Sequence, residues 1–173
     1  MAKRPLLQRL QNKRYHDPLI FQIGESQQRL AVDPLVLNHF AEHQQHDDHS
    51  PEAGGQLFAR FSDRAITITS VTGPRQADRR TRYLYLPNRR EEQREIDEMH
   101  QKGLHFVGDW HTHPEPVPTP SRSDIHTISE AVAKSRHHLH GFLMVVVGSA
   151  DFPLGLHVSL NTPTSHMRLM PTL

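Results

Sequence analysis

A mixed α/β (α+β) domain, one mixed β-sheet flanked by helices, is the fold class this sequence predicts, and three observations predict it. Short alternating or β-branched runs are interleaved with helical patterns rather than segregated from them. One run, residues 141–148 (GFLMVVVG), is apolar throughout, as a strand buried on both faces must be. The 173 residues suit one domain with a real core, and no internal repeat or low-complexity linker divides them.

Taken in order, residues 1–17 carry Lys3, Arg4, Arg9, Lys13 and Arg14. They read as a basic N-terminal extension, either loosely held or a short helix through Leu6, Leu7 and Leu10. The domain is expected over 18–162. Residues 19–24 and 29–32 form two strands around a polar turn. Asp33-Pro34 then supplies an N-cap and a proline at the first helical position, followed by Leu37, Phe40 and Ala41 on one face. After a polar stretch, 55–61 and 65–71 are strands, the second alternating Ile66 and Ile68 with Thr67 and Thr69. A charged loop over 73–81 leads to a strand at 82–86. Asn88 caps a highly charged helix that stops at Gly103, with a thin apolar stripe at Ile96 and Met99. A strand at 104–110, a proline-rich loop at 114–120 and a helix from Ser121 follow. Ile125, Ile128 and Val132 keep one face of that helix apolar. The apolar strand 141–148 and a last strand at 154–160 complete the domain, and 163–173 are expected as a tail.

Composition narrows the function. With 20 Lys+Arg against 19 Asp+Glu there is no chain-wide attraction to nucleic acid or anionic lipid. Without cysteine, disulfide scaffolds, Cys-based zinc fingers and thiol nucleophiles are excluded. No apolar run is long enough to span a bilayer, and the N-terminus lacks a signal peptide's apolar stretch, so the expected location is the cytoplasm. The oddity is 15 histidines.

The stretch from His111 to Asp124 (HTHPEPVPTPSRSD) carries the chemistry. Histidines at i and i+2 diverge on a helix but leave the same face of an extended strand. Prolines stiffen the return to Asp124 at the start of a helix. Two imidazoles and a carboxylate make a three-ligand site that suits Zn²⁺ and leaves a fourth position open, as catalytic zinc requires. Each part alone has a plainer explanation. A His-x-His pair arises readily by chance among so many histidines, Ser121-x-x-Asp124 reads as a helix cap, and prolines as a rigid loop. Their combination is what shifts the balance. Amide hydrolysis also needs a proton acceptor. The best candidate is Glu52, just before a strand at Gly54 and Gly55, although alone it would pass for a solvated loop acid.

These residues resemble the JAMM (MPN/JAB-type) metalloproteases, whose pattern is an upstream Glu followed by His-x-His-Pro-x6-Ser-x-x-Asp. The chain matches at Glu52, His111, His113, Pro114, Ser121 and Asp124, and in the surrounding Gly54, Gly55 and Leu57. Ala59, where bacterial members often carry glycine, and Arg60 depart from the pattern. The resemblance implies the MPN, cytidine-deaminase-like sheet, with one Zn²⁺ per chain held by His111, His113 and Asp124. It implies Glu52 as the general base and Ser121 as a hydrogen-bond donor to the developing oxyanion. Residues 107–115 (VGDWHTHPE) place it nearest the short bacterial members of ubiquitin-like conjugation operons linked to antiphage defence. The implied activity is cleavage after the C-terminal glycine of a ubiquitin-like protein, with E1-like and E2-like operon partners. The alternatives are an inactive scaffold of the same fold and processing of a sulfur-carrier-type protein.

Arg75, Arg79, Arg80, Arg82, Arg89, Arg90 and Arg94, with Tyr83 and Tyr85 among them, could suggest nucleic-acid binding. Glu91, Glu92 and Glu95 balance them, and a solvated charged face is the better reading. Within this region Arg79, Arg80, Tyr83 and Tyr85, together with Trp110, are expected to border the groove and touch the ubiquitin-like partner. The strand at 82–86 could accept an extended substrate tail by strand addition. The histidines at 43, 46 and 49 and at 137, 138 and 140 are read as loop and helix-end residues, and His126 as either exposed or supporting the metal site.

Overall fold

The computed structural model describes residues 14–172, so the basic segment before Arg14 lies outside the described residues. Ten strands and three helices follow in the order β1 (Leu19–Gln22), β2 (Arg29–Val32), α1 (Pro34–Glu42), β3 (Gly54–Phe61), β4 (Ala65–Val71), β5 (Arg79–Thr81), β6 (Leu84–Leu86), α2 (Arg89–Gln101), β7 (His105–Thr112), α3 (Arg122–Lys134), β8 (Phe142–Val147), β9 (Leu156–Asn161) and β10 (His166–Pro171). Among the described residues no helix is long and apolar enough to cross a membrane.

The expected mixed sheet is present, and it closes on itself as a barrel in the order β1-β10-β9-β8-β7-β3-β4-β2. Only β2–β4 and β7–β8 pair in parallel. Two expectations are corrected. The segment expected as a tail contributes β10, which bridges β9 and β1 and closes the barrel. Its outer positions face solvent and only Leu169 is buried, so the alternation is too thin to read as a strand locally. Within the expected charged loop, Arg79–Thr81 pairs with Leu84–Leu86 as a separate two-stranded hairpin. Position 82 falls in its turn rather than its strand.

The apolar run at β8 explains where the core sits. Leu143, Val145 and Val147 point into the barrel, with Leu30, Val32, Leu57, Ile68 and Trp110 and with Val36, Leu37 and Phe40 of α1. The alternate residues Phe142, Met144 and Val146 lie outside the barrel under Ile128 and Val132 of α3. Burying such a side chain contributes about 1.5–3 kcal/mol, so β8 anchors both layers. The helices start where their caps dictate. Asp33 accepts from the Leu35 N–H at 2.9 Å, and Asn88 accepts from the Arg90 and Glu91 N–H groups. The stripe on α2 is thinner than expected, since Ile96 and Met99 are half-buried and the buried residue is Glu92.

One irregularity in the barrel decides where the site faces. Leu57 pairs with Gly108 but Phe58 pairs with Phe106, so β7 carries an extra residue at this point. Val107, the extra residue, and Trp110 beyond it both point inward. Without the bulge, strict alternation would turn Trp110 outward and His111 into the core. Gly108 sits at φ +146°, and a Cβ there would lie 1.8 Å from the Leu143 carbonyl oxygen, so only glycine fits.

Candidate metal centre and catalytic cavity

Past the bulge, Thr112 turns inward and His111 and His113 turn out over the end of β7. Thr112 is fixed from both sides: its N–H donates to the Ala53 carbonyl at 2.8 Å, and its Oγ1 accepts from the Ala53 N–H at 2.9 Å. The two imidazoles converge as the spacing predicts, with Nε2 to Nε2 at 3.2 Å. Asp124 completes the group, its Oδ2 3.5 Å from each Nε2. Among the described residues this is the one group of three or more His, Asp or Glu side chains close enough to share a metal ion.

Asp124 reaches this point because α3 begins with a capping box. The Ser121 N–H donates to Asp124 Oδ2 at 2.7 Å, and the Asp124 N–H donates to Ser121 Oγ at 3.1 Å. The Ser121 side chain thus meets Asp124 twice, accepting from its N–H and helping to hold its carboxylate. Burial pushes the Asp124 carboxyl up, but His111, His113 and Ser121 outweigh it and hold the group far below its ordinary value. Burial alone would lower the His113 pKa, yet Asp124, Glu115 and Glu52 raise it. Two Nε2 atoms and an ionised carboxylate are the donor set that suits Zn²⁺ with an open fourth position.

Glu115 escaped the sequence reading. It lies 3.2 Å from His113 Nδ1, where it accepts that N–H and leaves the Nε2 lone pair facing the site. Its signal was its position directly after the His-x-His-Pro run.

The group opens into a cavity of about 460 Å³ that Glu52, Ser121, Tyr83, Tyr85 and Asp109 also line. Glu52 is only 7 % exposed. Burial pushes its carboxyl up to about 7, with Asp124 and Glu115 adding to the rise and His113 opposing it. A carboxyl at that value can take and return a proton near neutral pH. Asp109, two residues before His111 on the same face of β7, is a second acid missed from sequence. Burial and then Glu92 push it up to about 7, against Arg89 and Arg75.

The residues expected to meet substrate separate. Tyr83 (72 % exposed) and Tyr85 line the cavity. Trp110 is also among the residues that line it, but its indole is fully buried against Phe40 and His39, and its N–H donates to the Thr72 carbonyl. The inward phase set at Gly108 is the reason. Arg79 lies in a separate shallow depression with Asn88 and Arg90. Arg80 lies behind the site, its Nε donating to the Glu52 carbonyl. The neighbouring arginines are mostly paired. Arg75 holds Glu95 and Asp78, Arg82 holds Asp48, Arg89 holds Glu92 and Arg94 holds Glu91. That is the balanced face the composition suggested. Elsewhere Asp47 accepts from the His49 and Ser50 N–H groups, His137 meets the Val132 carbonyl, and His126 is exposed on α3.

Residues 34–159 match the family model described as prokaryotic homologs of the JAB domain. The chain belongs to this family. Three curated bacterial relatives carry the name CD-NTase/cGAS isopeptidase. The one from Vibrio cholerae is 26 % identical over 79 % of this chain and 86 % of its own length. Those from Escherichia coli and Pseudomonas aeruginosa are 29 % and 34 % identical, over 61 % and 69 % of this chain and 67 % and 77 % of their own. A solution structure from Desulfitobacterium hafniense shares the fold at a TM-score of 0.52, with 18 % identity, over 75 % of this chain and 82 % of that one. In this JAB-domain protein the histidine–aspartate group and Glu52 line one cavity.

Proposed function

We propose that this JAB-domain protein is a zinc-dependent isopeptidase of a bacterial CD-NTase antiphage system. It hydrolyses the bond after the C-terminal glycine of a ubiquitin-like protein or of a CD-NTase joined to another protein. The observation that carries this reading is the convergence of His111, His113 and Asp124 in the same cavity as a buried Glu52. The names of the three relatives support the substrate class. E1-like and E2-like partners belong to the same reading.

His111 Nε2, His113 Nε2 and Asp124 would hold the ion. Bound there, Zn²⁺ supplies Lewis acidity, polarising a carbonyl and lowering the pKa of water from 15.7 toward ~7. The protein's own groups do the rest. Glu52 takes the proton of the attacking water and returns it to the leaving lysine or α-amine. The Ser121 hydroxyl donates its proton to the oxyanion that develops, a contribution of about 3–4 kcal/mol per donor. Tyr83 and Tyr85 border the path of the substrate chain.

The test uses a CD-NTase fused through its C-terminus to a reporter protein, with and without a chelator. The expected result is cleavage that the chelator stops and Zn²⁺ restores, and loss of turnover in Glu52→Gln with metal content unchanged. His113→Ala should lose both metal and turnover. Wild-type turnover in Glu52→Gln would sink the base assignment, and metal uptake without any cleavage would favour an inactive scaffold.

A further inference from the structure

Hairpin β5–β6 pairs with no strand of the barrel, yet it meets the catalytic cavity in two ways. Tyr83, Leu84 and Leu86 line the cavity with side chains left open to solvent. The opposite strand holds the backbone of Glu52 at both of its polar groups. The Glu52 N–H donates to the Thr81 carbonyl at 2.8 Å, and Arg80 Nε donates to the Glu52 carbonyl at 2.5 Å. The barrel takes over one residue later, where Ala53 bonds to Thr112. The Glu52 carboxyl itself accepts no hydrogen bond from the described residues. Its aim is therefore set through the backbone, and the backbone is held by the hairpin.

We infer that Arg80 is a positioning residue for Glu52: through its bond to the Glu52 carbonyl, the hairpin that meets the substrate chain fixes where the base points. This rests on the reading of Glu52 as the base, and it gives Arg80 a different task from direct contact with the partner. The two tasks separate kinetically. A direct contact acts on KM, whereas a misplaced base acts on kcat, and a displacement near 1 Å can cost on the order of 100-fold.

The experiment compares wild type, Arg80→Ala, Arg80→Lys and Glu52→Gln on the CD-NTase–reporter fusion, and follows amide hydrogen exchange in the metal-free proteins. Arg80→Ala is expected to lower kcat roughly 10- to 100-fold with KM within about twofold and metal content unchanged. Arg80→Lys, whose ammonium can donate to the same carbonyl, should recover most of that loss. Exchange in Arg80→Ala should quicken over residues 50–53 and stay as in wild type across β8. Wild-type kcat in Arg80→Ala, a rise in KM alone, or quickened exchange throughout the barrel would each overturn the inference. Turnover in Glu52→Gln would instead remove the base assignment on which it rests, so the two failures are told apart.

Discussion

Along one wall of the cavity, the end of β7 and the start of α3 carry His111, His113 and Asp124 beside β8, whose apolar residues are buried on both faces. Along the other, the β5–β6 hairpin and α2 meet through ions. Arg75 reaches Glu95, Tyr85, Thr72 and Gln56, and the buried residue of α2 is an acid, Glu92. The metal wall is fixed by close packing, which tolerates little change of volume. The hairpin wall is fixed by a directional network whose members depend on one another. Damage to the first should cost the whole fold, and damage to the second should stay local.

The largest effect is expected from Gly108→Val, which places side-chain carbon against the Leu143 carbonyl and turns β7 out of phase. Loss of more than about 4 kcal/mol of stability is expected, and denaturant titration with metal analysis should show neither a folded barrel nor bound zinc. A folded Gly108→Val protein that binds zinc would show that the bulge does not set the phase.

Arg75→Ala attacks the other wall. Its guanidinium is largely buried, and removing it leaves Glu95 and Asp78 without their cation. Breaking a buried pair of this kind costs about 3 kcal/mol or more. Zinc uptake should survive while exchange quickens in the hairpin and α2. If the barrel unfolds with the hairpin, the two walls form one cooperative unit.

Glu52 joins the walls, and its titration reports on both. Its value in the fold, about 7, lies above the ordinary 4.5, so the protonated form favours the folded protein. That contribution is full below pH 4.5 and is lost as pH rises through 7. In metal-free protein Glu52→Gln should therefore gain stability relative to wild type over that window, by up to about 3 kcal/mol. Urea titrations at pH 5 and pH 8 check it, and an equal difference at both would show that the carboxyl is not held in a raised state.

The smallest effect is expected at Glu115, which orients His113 from the exposed side. Glu115→Ala should weaken zinc binding by about 10- to 100-fold without altering stability. Competition against a zinc chelator measures this, and unchanged affinity would leave His113 oriented by the barrel alone.

The sequence was most informative where the interactions are local. Asp33, Asn88 and Ser121 cap the helices they were expected to cap, because each cap bonds within three residues. His111 and His113 share a face because a strand repeats every two residues, and Asp124 returns to them through a short stiff loop. Long-range features were harder to read. β10 pairs with a strand more than a hundred residues earlier, and its own pattern buries little. Trp110 looked available to substrate because the phase of β7 depends on a bulge defined by its pairing with β3.

The sequence by itself determined the donor set. With no cysteine available, only imidazole and carboxylate could bind, and their spacing on strand and helix start brought them together. Only the tertiary structure decided which way that set faces, that Glu115 and Asp109 join the site, and what each arginine does. Those outcomes rest on barrel closure, the glycine bulge and burial, and each arises from contact between segments far apart in the chain.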